Sequence, residues 1–132
     1  MKRTLLALLG VYVAWSVLDA VIHVGILSSA YAATPTLWRP MQEMKMWLMH
    51  GTVLVYATSF VFIYAWLITD KSVKTALQYG VLFGIGSGIS MGYGSYSVMP
   101  LPYIIAFWWF LGRLVEAVIA GWITGVIIKK QG

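Results

Sequence analysis

Four apolar runs of about 20 residues each take up nearly all of this 132-residue chain, and a run of that length matches the hydrocarbon thickness of a bilayer. Charged residues make up 10% of the sequence against 61% hydrophobic, whereas a soluble domain is about a quarter charged. A water-facing surface cannot be assembled from such a set. This excludes a soluble enzyme, a nucleic-acid-binding domain and any sizeable extramembrane domain, so the net charge of +5 is no nucleic-acid footprint. Cysteine is absent, which removes disulfides, thiolate metal sites and thiol catalysis. The expected fold is all-α. Residues 1–132 form a single integral membrane domain, a four-transmembrane-helix bundle with spans near residues 4–28, 44–68, 75–98 and 103–128.

The first span follows Met1-Lys2-Arg3 and precedes Ala30-Tyr31-Ala32, a combination that imitates a secretory signal and its cleavage site. Its apolar run is about twice the usual signal length and contains Asp19 and His23, so a retained transmembrane helix is expected. Residues 29–43 are the longest non-apolar stretch, residues 69–74 a tight polar turn, and Met99-Pro100-Leu101-Pro102 a break. Lys2, Arg3, Lys71, Lys74, Lys129 and Lys130 fall on one side, with Arg39 and Lys45 on the other. The positive-inside rule then places both termini in the cytoplasm, and the expected location is the inner (cell) membrane as a multi-pass protein. Trp38, Trp47, Trp66, Tyr103 and Trp122 lie near the predicted ends, as interfacial anchors would.

Gly80, Gly84, Gly88 and Gly92 recur at a strict interval of four and line one stripe of the third helix, with Gly86 and Gly94 added. Lipid supplies no hydrophobic drive between helices, so close backbone approach between small residues is how they associate. Ala117, Gly121 and Gly125 form a matching series on the fourth helix. This glycine zipper either packs two helices of one chain together or faces another chain. A phosphate loop is excluded, since no Lys-Ser/Thr follows the glycines.

Three charges fall deep inside predicted spans, away from their ends. Asp19 and Arg113 lie at similar depth, each about 22 Å along its helix from the same face at 1.5 Å per residue. They are expected to pair, with Glu116, one turn from Arg113, as the other mate available to the arginine. Two acids against one base leave the trio at net −1 if all ionise. One acid then holds a proton, because burial and the neighbouring carboxylate disfavour its charge. Such a cluster is either an ion pair that fixes helix register or a proton or cation site.

Asp19 and His23 share a helix face with Trp15, and His50 sits at matching depth on the second helix. Two such histidines suit axial ligation of haem or a transition metal. Met41, Met44, Met46 and Met49 crowd towards His50, and thioether with imidazole is a copper(I) donor set. The competing reading is ordinary packing, because Met fills irregular apolar gaps. No nucleophile elbow and no HExxH pair is present, so catalysis is not expected.

Trp15-x3-Asp19-x3-His23, the glycine-rich third helix, and Pro102 with Trp108 before the fourth give a layout that resembles small bacterial four-helix integral membrane proteins of unknown function. The resemblance implies the fold and no activity. Asp19 also matches in kind the first-helix carboxylate of the small multidrug-resistance transporters, which use glutamate within a distinctive motif that this chain lacks.

Three functions fit these residues. The first is a non-catalytic structural or accessory subunit, held to other transmembrane subunits or to itself by glycine-mediated packing and surrounded by lipids. The second is a small proton-coupled transporter built on Asp19, Arg113 and Glu116. The third is a haem- or copper-binding subunit using His23 and His50 with Met46 and Met49. Phe107, Trp108, Trp109 and Phe110 are offered to lipid, pigment, quinone or a partner helix.

Overall fold

The computed structural model describes residues 1–129; Lys130, one of the charges used above for orientation, lies outside them. The structure is all-helical, with no strand among the described residues. We label its helices α1 (Lys2–Ile26), α2 (Ser28–Ala32), α3 (Met46–Leu67), α4 (73–98) and α5 (Tyr103–Ile127). α1, α3 and α5 are long and apolar enough to cross a membrane. α4 has comparable length, but its glycines, serines and Gln78 make it less apolar than the other three.

The helix ends follow local chemistry. Ser72 caps α4, its Oγ accepting from the Thr75 backbone N–H at 3.1 Å. Lys71 Nζ donates to the carbonyls of Tyr64 (2.6 Å) and Ile68 at the end of α3, satisfying carbonyls that a helix terminus leaves free. Pro102 caps α5, where its missing N–H is harmless. The 29–43 stretch holds more order than its composition suggests, with α2 followed by 3-10 turns at Pro35–Leu37 and Met41–Glu43. Thr34 Oγ1 donates to the Ala30 carbonyl at 3.0 Å and accepts from Trp38 Nε1 at 3.0 Å.

Three helices are not uniform. α1 turns from α to π geometry over Val21–Ile26, α3 over Ile63–Leu67 and α4 over Ser90–Gly94. Apolar periodicity had suggested continuous α-helix throughout; a π turn adds one residue to a turn without changing hydropathy, so the pattern gives no sign of it.

α4 and α5 are the most intimately packed pair, and the glycines are the reason. A Cβ on Gly80 would stand 2.5 Å from the Ala117 carbonyl oxygen, and one on Gly121 would stand 2.5 Å from that of Ala76. Gly84 faces Leu114 and Ala117, Gly88 faces Phe110 and Arg113, Gly92 faces Ala106 and Phe110, and Gly125 faces Val73 and Ala76. The stripe therefore lies inside the chain. Gly86, off the stripe, has nothing within 4 Å.

α1 packs against both α5 and α3. Buried Ala7, Val11 and Trp15 of α1 join Ala57, Phe60, Val61 and Tyr64 of α3 and Ala117 and Ala120 of α5 in one core. α3 meets α4 through rings, with Phe60 5.0 Å from Phe83 and 4.5 Å from Tyr79, whose hydroxyl donates to the Phe60 carbonyl at 2.9 Å. Trp47, Trp66, Trp122 and Tyr103 are exposed, whereas Trp38 is drawn inward against Tyr31 and Trp109.

Candidate functional site

α5 carries the two charges that define the site. Arg113 Nη1 lies 3.2 Å from Glu116 Oε2, an i,i+3 pair on one helix face. Glu116 is 2% exposed and its Oε1 has no hydrogen-bond partner among the described residues. Trp15 holds this turn against α1, its indole Nε1 donating to the Glu116 backbone carbonyl at 2.8 Å. Trp15 is in turn clamped by Tyr56 and Phe60, at ring separations of 5.3 and 5.7 Å.

α1 brings Asp19 to the same place, where it lines one cavity with Glu116. The expected Asp19–Arg113 ion pair is corrected here. Arg113 pairs with Glu116, and the nearest basic group to Asp19 is His23, whose Nε2 lies 3.8 Å from Oδ1. Depth along two helices gives equal height but says nothing of rotation about each axis. An i,i+3 neighbour on the same helix is close by construction.

Asp19, His23, Arg113 and Glu116 line one small cavity with Ile22, Met91, Trp108, Trp109 and Gly112. Its volume of about 10 Å³ is the least that holds a single water molecule. His23 lies within the π turn of α1, and Met91 within that of α4. Such turns are frequent at functional sites because the extra residue re-aims side chains.

From His23 a chain of polar contacts runs outward. His23 Nδ1 is 2.7 Å from the Tyr31 hydroxyl, which accepts from Trp109 Nε1 at 2.7 Å. Trp109 can only donate, so the Tyr31 proton is free to point at Nδ1. The imidazole then carries its hydrogen on Nε2, the nitrogen facing Asp19. Trp38 stacks edge-on against both Tyr31 and Trp109, roofing the chain with Leu27 and Ile105 behind it.

The other predicted ligands are elsewhere. His50, Met46 and Met49 are exposed on α3, and none of them lines the cavity. No group of three or more His, Asp or Glu among the described residues is arranged to hold a metal ion. Trp109, offered above to lipid or a partner, is a hydrogen-bond donor of the site, while Trp108 lines its wall. Tyr31, Tyr56 and Met91 were not singled out by sequence reasoning. Tyr31 resembles any loop tyrosine until α2 folds back on α1. No family model matches the chain, and no curated protein and no solved structure is similar to it, so the site is read from its own geometry.

Proposed function

We propose that this chain is a four-span protein of the cell membrane with both termini in the cytoplasm, and that buried Glu116 with part-buried Asp19 is the proton-binding site of a small proton-coupled transporter. The fourth span is α4. It is seated against α5 from Gly80 to Gly92, so it crosses whatever hydrocarbon α5 crosses. The observation that carries the function is the Glu116 carboxyl, 2% exposed, with Oε1 unpartnered, lining the same small cavity as Asp19. A single proton shared between the two carboxyls supplies the missing donor and cancels the net −1 of the trio.

His23, with 34% of its side chain exposed, joins that pair to the end of the bundle covered by α2. Its Nε2–H faces Asp19 and its Nδ1 accepts a hydrogen bond from the Tyr31 hydroxyl, the two-ended arrangement of a shuttle. The accessory-subunit reading leaned on the glycine stripe, and that stripe is occupied by α5 of the same chain. The haem or copper reading gains no second ligand beside His23, because His50 is exposed outside the cavity.

Infrared difference spectroscopy of the protein in lipid nanodiscs tests the site. A protonated-carboxyl band is expected at neutral pH, lost in Glu116→Gln and perturbed in Asp19→Asn. A parent protein without that band would remove the proton site.

A further inference from the structure

Arg113 borders two cavities at once. Besides the acid pair it lines an open groove of about 470 Å³ between α3 and α4, together with Thr52, Val53, Tyr56, Ser87, Ser90 and Met91. That volume falls within the range of small-molecule sites. No acidic residue lines it.

The guanidinium is poorly satisfied on the groove side. It offers five N–H donors; Nη1 goes to Glu116, while Nη2 reaches only the Met91 sulfur at 3.4 Å, and a thioether is a weak acceptor. The Tyr56 ring lies 5.0 Å from the guanidinium carbon. Thr52 and Ser87 donate back to their own helices, to the Met49 and Phe83 carbonyls at 2.7 Å. The Tyr56 and Ser90 hydroxyls make no hydrogen bond among the described residues and remain available as donors. Val53 and Met91 add apolar wall. A carboxylate replacing the thioether would gain the charge-assisted, two-pronged contact that arginine favours.

We propose that this groove binds a small organic monoanion, a carboxylate with an apolar body, on Arg113, and that the acid pair takes up one proton as the anion arrives. The inference rests on the proton-site reading above. Before binding, the pair holds one proton and the remaining carboxylate is balanced by Arg113. The anion takes over the guanidinium, and the released carboxylate takes a proton from hydronium in the aqueous phase by way of His23, an O–H bond breaking in the hydronium as one forms at the carboxyl. One O–H bond forms, one negative charge enters, and the site stays neutral. The groups facing this exchange are Asp19 and His23 from α1, Tyr31 from α2, Tyr56 from α3, and Glu116 and Arg113 from α5. α4 contributes only Ser87, Ser90 and Met91, none of which titrates there.

The test is benzoate binding to the full chain in phosphatidylcholine nanodiscs, followed by calorimetry. One proton per anion makes the affinity rise about tenfold for each pH unit lowered. Arg113→Gln is expected to abolish binding. Ser90→Leu, at the groove wall, blocks binding while leaving the infrared carboxyl band in place. The double variant Asp19→Asn/Glu116→Gln keeps binding and loses its pH dependence. Binding that ignores pH in the parent, or survives Ser90→Leu, overturns the proposal. So does absence of benzoate binding when phosphatidylglycerol is retained through Arg113, which would make the site a lipid headgroup contact. A carboxyl band without any benzoate binding leaves the proton site standing and removes the anion. Loss of both removes both.

Discussion

Tyr31 and Trp109, 78 residues apart, meet in a 2.7 Å hydrogen bond in which the indole donates and the phenol accepts. This contact ties the short α2 to the wall of the cavity and leaves the Tyr31 proton for His23. Tyr31→Phe is therefore expected to strand the indole N–H, at about 1–3 kcal/mol for a buried donor left unpaired. It should also let the His23 tautomers mix, which nitrogen-15 spectra of the imidazole report directly.

The same phenol predicts an alkaline limit. Burial pushes the Tyr31 hydroxyl above its ordinary range, partly offset by the Trp109 hydrogen bond. The folded state thus holds this proton more tightly than the unfolded state. The resulting stability is complete below the ordinary phenol value of about 10 and falls as pH rises through the raised one. Melting curves of the parent should drop above about pH 10 more steeply than those of Tyr31→Phe.

At the glycine stripe, position decides the sign of an identical substitution. Gly80→Ala puts a methyl 2.5 Å from the Ala117 oxygen, backbone that cannot step aside, and overpacking of this kind costs about 1–3 kcal/mol. Gly86→Ala meets nothing within 4 Å and should stabilise by up to about 1 kcal/mol through helix propensity. Unfolding in mixed micelles separates the two, and equal effects would show that the stripe is not the contact.

Arg113 and Glu116 should behave as a unit. Removing either partner of a buried pair costs about 3–5 kcal/mol, while replacing both with apolar residues approaches neutrality. Arg113→Leu and Glu116→Leu are each expected to lower the yield of folded protein, and the double change to recover much of it. Asp19→Leu combined with Arg113→Leu should show no comparable recovery, because these two are not ion-paired. Additive single effects at 113 and 116 would refute the pairing.

Topology can be checked apart from the site. Reporter fusions after Lys74 and after Lys129 are both expected on the cytoplasmic side, on the strength of Lys2, Arg3, Lys71, Lys74 and Lys129 against Arg39 and Lys45. A periplasmic reading at both points would reverse the membrane orientation, and one at a single point would overturn the four-span count.

Some of this architecture is written in one dimension and some is not. An interval of four glycines is a helix stripe by arithmetic, and Ala117, Gly121 and Gly125 have the spacing to receive it. The helical class follows as directly from run length and from the scarcity of charge. The partner of Arg113 was missed because height along a helix carries no azimuth. The charge cluster of Asp19, Arg113 and Glu116 is legible from depth along the helices, whereas the cavity that adds His23 and Met91 to it, with Tyr31 bonded to His23, is not. Tyr31 reaches the site only because α2 doubles back after the π turn at Val21–Ile26, and hydropathy is blind to such a turn. Trp108 and Trp109 were read as surface because a run of four aromatics looks alike on every face.

The backbone contact between α4 and α5 also has a mechanical meaning. Two helices whose Cα atoms interlock from Gly80 to Gly92 have no side-chain cushion to slide on, and they behave as one stiff plate. Arg113 and Glu116 ride on that plate, while Asp19 and His23 ride on α1 beside it. Trp15 fastens α1 to that plate at the Glu116 carbonyl, so the two walls of the cavity are held in fixed register.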